Sequence, residues 1–80
     1  MEDILASFKR LYNKKKPGHS YSILVVKDRF SSTYNFYLEE HDGATYSHGL
    51  GSIGFVQLDE YKETLRRLLD SKLKAEYRGF

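Results

Sequence analysis

Residues 33–50 read TYNFYLEEHDGATYSHGL, and their pattern sets how the rest of the 80-residue chain is arranged. Tyr34, Phe36 and Leu38 alternate with Asn35, Tyr37 and Glu39, the period of two that turns one face of a strand to a core and the other to water. The run stops at Glu40-His41-Asp42-Gly43, where Asp-Gly supplies the positive-φ positions of a tight turn. Residues 44–50 then return antiparallel, which makes a β-hairpin. The register of the return strand is open by a residue or two, and with it the choice of which side chains face the core.

On the N-terminal side, Tyr21-Ser22-Ile23-Leu24-Val25-Val26 is a short β-branched apolar run that suits a central strand, joined to the hairpin by a turn over 27–32. Before it, Ile4, Leu5, Phe8, Leu11 and Tyr12 form the apolar stripe of an amphipathic helix over about residues 2–15. Glu2 and Asp3 in its first turn and Lys14-Lys15-Lys16 at its end complement the helix dipole, and Pro17-Gly18 ends it.

On the C-terminal side, Gly49-Leu50-Gly51-Ser52-Ile53-Gly54 matches GxGxxG. A phosphate-cradling loop of that form needs a helix opening directly on it within a βαβ unit, whereas Phe55-Val56-Gln57 intervenes here. The glycines read instead as a flexible turn or a bulged strand, and residues 55–57 as a short fourth strand or an extension of the third. Residues 58–73 carry a second amphipathic helix, with Leu58, Tyr61, Leu65, Leu68, Leu69 and Leu73 in one arc and Lys62 and Arg66 at its border. Residues 75–80 read as a frayed tail from which Tyr77 and Phe80 can dock. The expected class is α+β, one small domain over residues 1–80 in the order α-β-β-β-(β)-α, with an antiparallel sheet, two helices packed on one face and the other face open.

Cysteine is absent, which removes a disulfide framework and thiolate zinc sites and favours a reducing, cytoplasmic setting. No apolar run approaches the ~20 residues that cross a bilayer, and the first residues lack a signal-peptide pattern, so no membrane partner is expected. Net charge is +2, unevenly spread: residues 1–19 hold five basic and two acidic groups, 20–60 two and six, and 61–80 six and three. The ends are basic and the middle is acidic, a pattern that suits a partner touching both ends.

Chemistry of high specificity is missing. His41 and His48 flank the hairpin turn with Asp42 between, but a metal site needs three or four convergent ligands and a second shell. No GxSxG elbow is present, and the adjacent Glu39 and Glu40 point to opposite faces of a strand, which separates them for acid and base work. The expectation is no enzyme, no catalytic residue, no metal and no cofactor. Seven tyrosines and five phenylalanines are more informative. Tyr34 and Phe36 belong to the core, while Tyr37, and one of Thr45 or Tyr46, fall on the open face, where tyrosine stacks on unpaired bases or anchors a protein interface.

The order of helix, Pro17-Gly18, strand over 21–27, hairpin turning on Asp42-Gly43 and closing helix with Leu65-Arg66-Arg67-Leu68-Leu69 resembles the Alu-RNA-binding subunits of the signal recognition particle, over roughly residues 4–73. That resemblance implies an αβββα module that binds RNA on its open sheet as one of a pair, with Lys27 and Arg29 in the expected basic loop. The same order is similar to the double-stranded-RNA-binding domain, and the ending GFVQLDEYKETL to whirly-type single-strand-binding modules.

Two functions follow as expectations. The first is a nucleic-acid-binding module for RNA or single strands, with Lys14, Lys15, Lys16, Lys27, Arg29, Lys62 and Arg66 on phosphates and Tyr37 as a stacking surface, joined by Tyr46 if it faces the same way. The second is a small protein-binding inhibitor or adaptor, of the kind found in phages and mobile elements, that uses the acidic hairpin residues Glu39, Glu40 and Asp42 or an unpaired strand edge. A homodimer or heterodimer is compatible with both.

Overall fold

The computed structural model describes residues 2–80. Helix α1 (Glu2–Tyr12) is followed by strands β1 (Ser20–Asp28), β2 (Thr33–His41) and β3 (Thr45–Gly54), helix α2 (Leu58–Leu69) and strand β4 (Lys74–Arg78). The strands form one sheet in the order β3-β2-β1-β4. β1, β2 and β3 pair antiparallel, and β4 lies parallel to β1, from Ser22 opposite Lys74 to Val26 opposite Arg78. The sheet is therefore mixed where an antiparallel one was expected. A strand that returns to the sheet through a helix enters parallel, because the crossover carries the chain back to the end from which β1 starts.

The fourth strand also lies elsewhere than expected. Residues 55–57 form the turn into α2, held by the Phe55 N–H donating to Ser32 O at 2.9 Å, while the segment read as a tail supplies β4. Tyr77 and Phe80 do dock: their rings meet edge to face at 5.5 Å, and Phe80 stacks on Tyr34 at 6.0 Å. α2 stops at Leu69, four residues short of the apolar periodicity, since Lys72 takes a positive φ of 68° and turns the chain back to the sheet.

Both helices cover one face. Ile4 and Phe8 of α1 and Tyr61 and Leu68 of α2 share a core with Ile23 and Val25 of β1, Tyr34, Phe36 and Leu38 of β2, and Leu50 and Ile53 of β3. Full burial of side chains such as Phe36, Leu38 and Leu68 contributes about 1.5–3 kcal/mol each. The hairpin alternation is as its sequence implies, with Tyr34, Phe36 and Leu38 inward. Its loop holds Asp42, Gly43 and Ala44, and the Ala44 N–H donates to Asp42 Oδ1 at 3.3 Å.

The glycine-rich segment is a bulged strand. Pairing shifts register between Phe36 and Tyr37, opposite Gly51 and Gly49, which leaves Leu50 as the extra residue with its side chain in the core. Gly51 sits at φ 145°, and a Cβ there would lie 2.8 Å from Ile4 Cγ1, so α1 rests directly on the backbone of β3.

Candidate functional site

The sheet register divides the polar residues of the hairpin between two faces. On the open face, neighbours across the sheet run Ser47, Glu39, Ser22, Lys74; then Gly49, Tyr37, Leu24, Glu76; then Ser52, Asn35, Val26, Arg78. Leu24, Val26 and Tyr37 make a small apolar centre ringed by hydroxyls, amides and mixed charges. Glu39 is 4% exposed and accepts from Ser47 Oγ at 3.1 Å. His41 lies on this face too, with Nε2 3.0 Å from Ser22 Oγ and Nδ1 3.1 Å from Thr45 Oγ1.

On the helix-covered face, beyond the end of the core, Glu40 gathers a polar cluster. Its Oε2 meets His19 Nδ1 at 2.5 Å and accepts from the Tyr21 hydroxyl at 3.2 Å, while Oε1 meets His48 Nε2 at 3.1 Å. The Lys16 N–H donates to the Tyr21 oxygen at 2.9 Å, and His19 Nε2 stands 3.7 Å from Asp42 Oδ2. The hydrogen bond from His48, then that from His19, holds the Glu40 carboxyl below the usual glutamate value. Beside this cluster a groove of about 190 Å³ is lined by Leu11, Lys14, Lys16, Tyr21, Leu38, Glu40 and His48. Tyr46, about half exposed, stands two residues from His48 on the same face of β3, opposite Glu40.

The residues expected to bind nucleic acid do not share one surface. Lys14, Lys15 and Lys16 form an exposed loop at the end of α1, and among the described residues none of them takes part in a salt bridge. Lys15 Nζ sits over the Tyr12 ring at 4.6 Å. Lys27, near the other end of β1, lies over the Phe55 and Phe80 rings at 5.5 and 5.8 Å, and Arg29 in the following turn donates to Gly79 O at 3.2 Å. Lys62 is exposed on α2, and Arg66 pairs with Glu63 at 2.5 Å and with Asp70 at 3.7 Å. Tyr37 is half-buried on the open face, opposite Leu24.

The acidic hairpin is likewise split: Glu39 is buried on the open face, Glu40 is enclosed by two histidines, and Asp42 alone is exposed at the tip. His41 and His48 stand on opposite faces and do not converge. Among the described residues no group of three or more His, Asp or Glu side chains is placed to hold a metal ion, and no helix is long and apolar enough to cross a membrane.

Sequence reasoning missed His19 and Tyr21 as partners of Glu40. The pairing of Ser20 with His41 and Tyr21 with Glu40 is what brings them together, and that register is settled by the sheet as a whole rather than by either strand. Comparison with family models, curated proteins and solved structures returns no match.

Proposed function

We propose that the protein binds RNA or single-stranded nucleic acid through the lysine loop and the groove beside it. The observation that carries the reading is the state of Lys14–Lys16: three adjacent cations, exposed and free of carboxylate partners among the described residues, with two of them lining a groove shared with Tyr21 and His48. Cations already held by a carboxylate or a carbonyl, as Arg66 and Arg29 are, have less to gain from a phosphate. Tyr46 offers a ring face next to the groove, and base stacking on an exposed aromatic is worth about 1–3 kcal/mol per base. The open face supports this reading less: Asp28, Glu39 and Glu76 there outnumber Lys74 and Arg78.

The site on this reading is Lys14, Lys15, Lys16, Tyr21, Tyr46 and His48, a narrower set than the basic residues of the whole chain. The acidic-hairpin reading draws less support, because Glu39 is buried, Glu40 is bonded to two histidines, and Asp42, though exposed, already accepts from the Ala44 N–H and stands 3.7 Å from His19. The test is binding of the full chain to a labelled structured RNA, a single-stranded DNA and a duplex DNA at low and physiological salt. Lys14, Lys15 and Lys16 changed together to Glu abolish binding while Lys62→Glu leaves it within about twofold, a difference under 0.5 kcal/mol. Equal losses in the two variants, or no binding by the unaltered chain at low salt, reject the proposal.

A further inference from the structure

The two edges of the sheet differ in how they are protected. β4 is five residues long and carries Lys74, Glu76 and Arg78, the charged, short edge that resists pairing with another chain. β3, the opposite edge, is ten residues long and holds no lysine, arginine, aspartate, glutamate or proline from Thr45 to Gly54. Its bulge is confined to Leu50, and Thr45–Gly49 pairs with β2 in unbroken register. Most of this stretch is exposed, and among the described residues its outer backbone groups face no strand.

We infer that β3 pairs antiparallel with β3 of a second copy of the chain, about a two-fold axis at Ser47, giving a continuous eight-stranded sheet. The occupant follows from self-complementarity. A two-fold at Ser47 sets Thr45 opposite Gly49 and Tyr46 opposite His48 of the second copy, with no like charges across the junction. Tyr46, half exposed in one copy, gains an imidazole neighbour, and it does so twice in the symmetric pair. Tyr46 and His48 share the helix-covered side, so their cross-strand partners fall on the same side as well.

The arrangement has an electrostatic signature. α1 runs along β3 with Ile4 over Gly51 and Leu11 beside His48, so the lysine loop of each copy lies near the axis. The loops repel one another, and added salt, which screens exposed charges beyond about 10 Å at 0.1 M, strengthens the dimer rather than weakening it.

Sedimentation of the full chain without nucleic acid tests the inference independently of the binding proposal. The unaltered protein moves with concentration from 9.4 kDa toward twice that mass, and more readily as salt rises. Ser47→Lys puts like charges opposite each other at the axis and raises the dissociation constant by about twofold to fivefold, with circular dichroism unchanged. The chain has no cysteine, so Ser47→Cys supplies a single thiol whose partner stands within disulfide reach only in this register. It oxidises to a covalent dimer, whereas Glu76→Cys on the guarded edge stays monomeric. A protein that remains at 9.4 kDa at every concentration, a Ser47→Lys variant that dimerises as the parent does, or equal cross-linking of the two thiols overturns it.

Discussion

At Glu40 a single carboxylate ties three separate segments together: His19 ahead of β1, Tyr21 within it and His48 on β3. Because these partners favour the ionised form, the folded pKa lies below the ordinary value of 4.5, and the unfolded chain binds the proton first as pH falls. The contribution to stability is therefore complete above 4.5 and is lost as pH drops through the folded value. Glu40→Gln lacks that charge-dependent part. Thermal unfolding of the two proteins across pH 3–7 will show a gap near neutral pH that narrows below about 4.5. A gap that stays constant with pH assigns the loss to packing and removes the carboxylate from the account.

At the scale of elements, β4 is the informative case. α1, β1 and the hairpin could be read from the chain because their apolar spacing is local: Ile4, Leu5 and Phe8 on one helix face, Ile23 to Val26 in an unbroken run, Tyr34, Phe36 and Leu38 in alternation. In Lys74-Ala75-Glu76-Tyr77-Arg78 the inward positions are one alanine and one tyrosine, too little apolar surface to announce a strand. It is a strand because β1 offers a free edge some fifty residues back in sequence, information that no window around residue 76 contains. The Glu40 cluster escaped reading for the same reason, since it depends on which residue of β1 faces which residue of β2. What holds the end of β4 is close approach: a Cβ at Gly79 would lie 2.5 Å from the Lys27 carbonyl oxygen, at a φ of 80°. Gly79→Ala meets both the clash and the left-handed backbone and costs about 1–3 kcal/mol. Urea unfolding will give that loss, while Glu76→Ala on the exposed side of β4 stays within about 0.5 kcal/mol of the parent. Equal effects of the two changes would mean that β4 docks through its side chains and not through the glycine.

For the molecule as a whole, charge is the property that folding rearranges most. Along the chain the ends are basic and the middle acidic, which suggests two cationic ends meeting one partner. In three dimensions the C-terminal cations are dispersed: Arg66 and Arg67 are matched by Glu63, and Lys74 and Arg78 flank Glu76 on β4. The N-terminal lysines stay together, and among the described residues none of them is in a salt bridge, although Lys14 and Lys16 share their groove with Glu40. On the proposed reading, nucleic-acid binding is a local electrostatic event at the lysine loop rather than an effect of the net charge of +2. Counting contacts makes this quantitative. Each phosphate neutralised on a single strand contributes about 0.7 to the slope of log affinity against log salt, so three lysines give a slope of about −2, whereas six dispersed contacts would give about −4. Titration of a single-stranded DNA over a series of salt concentrations will yield the shallower value, and Lys16→Ala will reduce it by about 0.7. A slope near −4 that Lys62→Ala and Arg66→Ala each flatten would move the interface onto α2 and leave the lysine loop as one contributor among several.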